Sequence, residues 1–174
     1  LQVREFNEGA YTESALFLNE GGKRFLNITG KVDGALGPSA CSGLALDADR
    51  DGDLDIILSH LTYWPSNVPV EDSVLQLVRN DSRAGHWLEI TLKGTTSNRS
   101  ALGATAALYL GNGALYQQVG GGMLTGEHSG PLPIHFGLGQ AAHADSVVVR
   151  WPNGNYETWG EMTANRRVIL TEGE

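Results

Sequence analysis

Asp47-Ala48-Asp49-Arg50-Asp51-Gly52-Asp53-Leu54-Asp55-Ile56-Ile57-Leu58 is the stretch on which the reading of this chain turns. Counting from Asp47, carboxylates fall at loop positions one, three, five and nine (Asp47, Asp49, Asp51, Asp55), with Gly52 at six. Alternating acidic side chains can converge on one hard, oxygen-seeking cation. Gly52 permits the sharp turn, and Asp53 can offer its backbone carbonyl at position seven while its side chain points away. Asp and Gly are also common turn formers for reasons unrelated to metals. Five carboxylates within nine residues nevertheless repel one another strongly without a counter-ion, which favours a cation over a plain solvated turn. Ca²⁺ suits the loop better than Mg²⁺, which keeps several waters and demands stricter octahedral geometry.

An EF-hand loop would need a bidentate Glu at position twelve, where this chain has Leu58. The β-branched, apolar run Ile56-Ile57-Leu58 points to a strand leaving the loop rather than a helix. The ion is therefore expected inside a β-hairpin.

Outward from the loop, short apolar runs punctuated by glycine continue the β pattern, and helical signals are scarce. In His86 to Gly94, Leu88, Ile90 and Leu92 fall on one face and Trp87, Glu89, Thr91 and Lys93 on the other, the alternation of a half-buried strand. Further strands are expected over residues 15–19, 41–46, 55–59, 73–80, 104–110, 115–119, 134–138, 146–151 and 166–171, giving an antiparallel, all-β chain. Trp151-Pro152-Asn153-Gly154-Asn155-Tyr156 carries an Asn-Gly step suited to a tight hairpin. Residues 61–72 hold two prolines and little periodicity, which places a boundary there.

With 174 residues, 41% of them hydrophobic, the chain can bury one substantial core or two small ones. A net charge of -8 and the lack of a basic stripe argue against a nucleic-acid partner. Cys41 is the single cysteine, so neither an intrachain disulfide nor a CxxC motif can form. No apolar run reaches membrane-spanning length, the first residues lack the apolar core of a signal peptide, and the start at Leu1 suggests a processed or excised chain.

Leu16-Phe17-Leu18-Asn19-Glu20-Gly21, followed by Phe25, Thr29 and the Asp loop, resembles one FG-GAP/VCBS repeat, the blade unit of integrin-type β-propellers. The remainder is similar to the ASPIC/UnbV domain of bacterial secreted proteins and of the cartilage acidic proteins. The pieces that carry this likeness are Trp87-Leu88, Ser97-Asn98-Arg99, Leu102-Gly103-Ala104, Phe136-Gly137-Leu138-Gly139, Trp151-Pro152-Asn153-Gly154 and the closing Arg166 to Glu172. The resemblance implies calcium in the Asp loop and an extracellular, secreted or cell-surface setting, and it brings no catalytic residues. A solitary blade cannot protect its own edges, so further propeller blades, or other copies of the chain, are its expected partners.

The expected organisation is an N-terminal extension over 1–14 that could serve as an exchanged strand, a calcium-binding repeat over 15–60, a connector over 61–78 and an ASPIC/UnbV-like β domain over 79–174. The fold expected is one FG-GAP/VCBS-type β-hairpin blade packed on an antiparallel, sandwich-like domain. The function expected is a non-enzymatic structural or adhesion protein acting through protein contacts, with strand addition into an extracellular filament as its sharpest form. The rival is a carbohydrate- or ligand-binding module in which calcium only supports the fold. Tyr63, Trp64, Trp151, Tyr156 and Trp159 are candidates for its aromatic platform, with core packing as the plainer account of the same rings.

Three glycosylation acceptor patterns begin at Asn27, Asn80 and Asn98. Ser129 lacks the spacing of a nucleophile elbow, and Gly120-Gly121-Gly122 lacks the Lys and Ser/Thr of a phosphate loop. His60, His86, His128, His135 and His143 show no metal spacing, and Glu157 and Glu161 carry little information as a carboxylate pair.

Overall fold

The computed structural model describes residues 14–20, 23–32, 36, 40–60, 75–82, 85–120 and 133–174. Within them every regular element is a strand apart from one short 3-10 turn at Thr29–Lys31. The chain is all-β, and it divides into two compact units: residues 1–48 with 54–80, and residues 49–53 with 81–174.

The first unit holds two small sheets. Strands β1 (Phe17–Asn19) and β2 (Phe25–Asn27) pair antiparallel. Strands β3 (Ala40–Leu46), β4 (Asp55–His60) and β5 (Leu75–Val78) form an antiparallel sheet in that order. Ile56-Ile57-Leu58 is indeed the strand that leaves the Asp loop, and Leu46 faces Asp55 across the hairpin. Among its described residues Leu36 and Leu58 are buried, with Leu16, Val32, Ile56 and Val78 packed against them.

The second unit is built on two larger sheets. One is β14 (Arg166–Thr171), β6 (His86–Lys93) and β9 (Ile134–Gly139), in that order. The other is β12 (Tyr156–Trp159), β11 (Ser146–Arg150), β7 (Thr105–Leu110) and β8 (Gly113–Gln118). A two-stranded pair, β10 (His143–Ala144) with β13 (Met162–Thr163), completes it. Alternation along the strands sends Leu88, Ile90, Leu92, Phe136 and Leu170 from the first sheet into one buried cluster with Ala106, Leu108, Val147 and Val149 from the second. That is the layering of a sandwich.

One detail differs from expectation. Among the described residues all pairings are antiparallel except β6 with β14, which runs parallel from Leu88 opposite Arg166 to Lys93 opposite Thr171. Alternation fixes which face of a strand is buried and says nothing of its direction. The parallel pair starts at Asn165, whose left-handed backbone (φ 57°) lets its amide donate to the Trp87 carbonyl while its side-chain oxygen accepts from the Trp87 amide. The β11–β12 hairpin stands where the Asn-Gly step placed it and closes through residues 151–155, with the Trp151 amide donating to the Asn155 carbonyl at 2.8 Å. Of that step only Gly154 has a positive φ (94°), because Asn153 uses its side-chain oxygen to hold the Asn155 amide.

Candidate metal centre

The loop between β3 and β4 winds so that its alternate side chains turn inward. Arg50 and Gly52 adopt left-handed backbone conformations (φ 66° and 104°). The Asp51 amide donates to Asp49 Oδ1 at 3.2 Å, and the Asp53 amide donates to Asp51 Oδ1 at 3.0 Å. One oxygen from each of Asp47, Asp49 and Asp51 then lies within 4.8 Å of the others. Oδ1 of Asp47 is closed off from solvent, while Asp49 and Asp51 are exposed. Like charges at about 4 Å repel by about 1 kcal/mol in bulk water and about 4 kcal/mol near a protein surface, so a divalent ion would relieve the crowding. Three carboxylate oxygens suit Ca²⁺, which completes its shell with backbone carbonyls and water.

Asp55 stands apart from that group. It is 1% exposed, and both its carboxylate oxygens accept backbone hydrogen bonds, Oδ2 from Ala48 at 3.0 Å and Oδ1 from Asn80 at 2.8 Å. Its place is that of an anchor, closing the loop neck and tying β4 to the end of β5. Asp53 contributes its amide to the turn, as above.

Gly52 has a second reason to be glycine, which the spacing of the loop did not signal. It is buried, and a methyl group at its Cα would overlap the Trp87 indole. The His135 Nε2–H donates to the Gly52 carbonyl at 2.9 Å, and the His135 ring stacks on Trp87 with centroids 5.9 Å apart. Arg167 lies over the indole at 5.0 Å while its Nε donates to Glu89 Oε1 at 3.0 Å. Residues 49–53 thus pack within the second unit against a Trp87–His135–Arg167 patch, and His135 is more than a surface histidine.

The remaining candidates have structural places. Trp151 is buried and meets Trp159 edge to face at 6.4 Å, so both belong to the core; Tyr156 is 67% exposed. Tyr63, Trp64, His128, Ser129, Gly121 and Gly122 lie outside the described residues, as does the extension except for Ser14. Glu157 accepts from Trp151 Nε1 and the Gly173 amide, far from acting as a pair with Glu161, which lies 4.0 Å from His143. The His86 Nδ1 accepts from Asn165 Nδ2 at 2.9 Å. Among the acceptor asparagines, Asn98 spends its amide on both the carbonyl and the N–H of Leu102, and Asn80 Nδ2 donates to the Leu54 carbonyl. Asn27 is exposed and holds the Thr29 amide through Oδ1.

A site that sequence reading passed over is the cradle of Glu172. Its Oε2 accepts three successive backbone amides, Thr95, Thr96 and Ser97, and its Oε1 accepts from the Ser97 hydroxyl and Asn153 Nδ2. The turn at Ser97-Asn98-Arg99, the turn at Trp151 to Gly154 and the end of β14 meet on this one carboxylate.

No curated protein matches this chain in sequence. Residues 94–174, the part that these turns and β7 to β14 make up, match the family described as ASPIC and UnbV.

Proposed function

We propose that the protein is a calcium-binding structural or adhesion module of the cell exterior that acts through protein contacts, with residues 15–60 as an FG-GAP/VCBS-type repeat. The observation that carries this reading is the convergence of Asp47, Asp49 and Asp51 in a hairpin loop. The ion's role is to fix that loop, and no catalytic step is assigned. Contact with further blades or copies is supported by the apolar surface of the first unit, where Phe25 on β2 and Leu75 on β5, the outer strand of its sheet among the described residues, are 70% and 71% exposed. Assembly into a filament through residues 1–14 is the most specific form of this reading.

Calorimetric titration with CaCl₂ and with MgCl₂ tests it. The wild-type chain is expected to bind one Ca²⁺ in preference to Mg²⁺, and Asp49→Asn with Asp51→Asn to weaken Ca²⁺ binding by about tenfold or more with an unchanged circular dichroism spectrum. Absence of Ca²⁺ binding at millimolar concentration sinks the reading. Sedimentation with and without chelator, and with residues 1–14 deleted, tests the assembly. A species that is monomeric under all these conditions rules the filament out.

A further inference from the structure

Two Asn-Gly steps occur in the chain, Asn112-Gly113 and Asn153-Gly154, each in an exposed turn of the β12-β11-β7-β8 sheet. Asparagine before glycine is the step most open to loss of its side-chain amide, because glycine leaves the following backbone nitrogen unshielded. Both glycines meet that condition: a methyl group on Gly113 would find only the Leu110 carbonyl oxygen, at 3.7 Å, and one on Gly154 nothing within 4 Å. Sequence and steric access therefore give the two steps the same liability. What separates them is the hold on each asparagine side chain.

Deamidation requires the side chain to swing its Cγ onto the next backbone nitrogen. Asn153 is tied at both ends: its Oδ1 accepts from the Asn155 amide at 2.9 Å, and its Nδ2 donates to Glu172 Oε1 at 2.6 Å. Glu172 is itself fixed, since its other oxygen accepts the amides of Thr95, Thr96 and Ser97. A carboxylate held in this way stays ionised, and stays an acceptor, at the alkaline pH where deamidation is fastest. Asn112 has no such tether. It stands exposed between Gly111, at φ 52°, and Gly113, and no hydrogen bond to a described residue holds its side chain.

We propose that Asn112 is a modification site, deamidated spontaneously with water as the co-reactant, and that Glu172 keeps the Asn153 step shut. The Gly113 nitrogen gives its proton to hydroxide and bonds to Asn112 Cγ, the Cγ–Nδ2 bond breaks, and ammonia leaves. Water then opens the cyclic imide at either carbonyl, yielding aspartate or isoaspartate. Isoaspartate adds a carbon to the main chain inside the β7–β8 turn, so the register that sets Leu110 opposite Gly113 is lost. Ageing the full chain at mildly alkaline pH, with tandem mass spectrometry of peptides across both turns, tests the proposal. Asn112 is expected to convert about tenfold or more faster than Asn153 in the folded chain, and the two rates to converge in denaturing urea. Asn153 is expected to speed up in Glu172→Gln kept below its melting temperature. The proposal is overturned by equal rates at the two steps of the folded chain, by Asn153 converting first, or by an Asn112 that stays intact for as long as the urea-unfolded chain takes to convert. A folded Glu172→Gln that leaves the Asn153 rate unchanged overturns it equally, and the wild-type ratio decides the matter whether or not that variant folds.

Discussion

Glu172 shows how much one side chain can be asked to hold. Burial works to raise its pKa, but the amides of Ser97 and Thr95, the Ser97 hydroxyl and the Thr96 amide outweigh that, and the carboxyl is lowered from 4.5 to about 2. A folded-state value below the unfolded one means that stabilisation is complete above pH 4.5 and is lost as pH falls from there toward 2. Glu172→Gln is therefore expected to lower the melting temperature by several degrees at pH 7 and to flatten the fall in stability between pH 4.5 and 2. Thermal unfolding of both proteins across that range decides the matter, and parallel pH profiles would refute it. Gly52 is constrained twice, by its positive φ and by the indole of Trp87. Gly52→Ala should cost at least about 2 kcal/mol, since a left-handed alanine is strained and its methyl must displace a packed ring. The expected readout is a lower urea midpoint together with altered tryptophan fluorescence. A neutral substitution would mean that the loop does not rest on Trp87.

At the scale of elements, the strands legible in the sequence were those that alternate over a whole core. In β6 the inward Leu88, Ile90 and Leu92 are buried in step with the pattern, and β9, β11 and β14 follow the same rule. Illegible were β2, β10 and β13, which are two or three residues long and carry too few positions to show a period. The parallel direction of β14 was illegible for a different reason, because it depends on Asn165 meeting Trp87 about 78 residues away. The metal loop divides in the same manner. Local spacing exposed the turn at Gly52 and the alternating aspartates. It could not show that Asp55 also accepts the Ala48 amide and that of the distant Asn80. The Glu172 cradle likewise brings together three segments, residues 95–97, Asn153 and Glu172, and no spacing within any one of them announces the contact.

For the molecule as a whole, the two units are unequal in what they bury. Among the described residues the second unit closes seventeen hydrophobic residues into one cluster, whereas the first closes Leu36 and Leu58. Full burial of a large aliphatic side chain contributes about 1.5–3 kcal/mol, against which the conformational entropy of the first unit's strands works. Its exposed Phe25, Leu75 and Leu77 would gain more from a partner than they lose. A chain that divides into two compact units should unfold in two steps, one for each. Ca²⁺ raises the stability of whatever holds it by mass action. Since the Asp loop joins β3 to β4, excess chelator should lower the temperature of the transition in which that hairpin melts. Differential scanning calorimetry with and without chelator separates the cases. A single transition indifferent to the ion would show that the loop's carboxylates are no part of what keeps the hairpin folded, and the packing of Leu58 and Ile56 on β4 would then have to hold it.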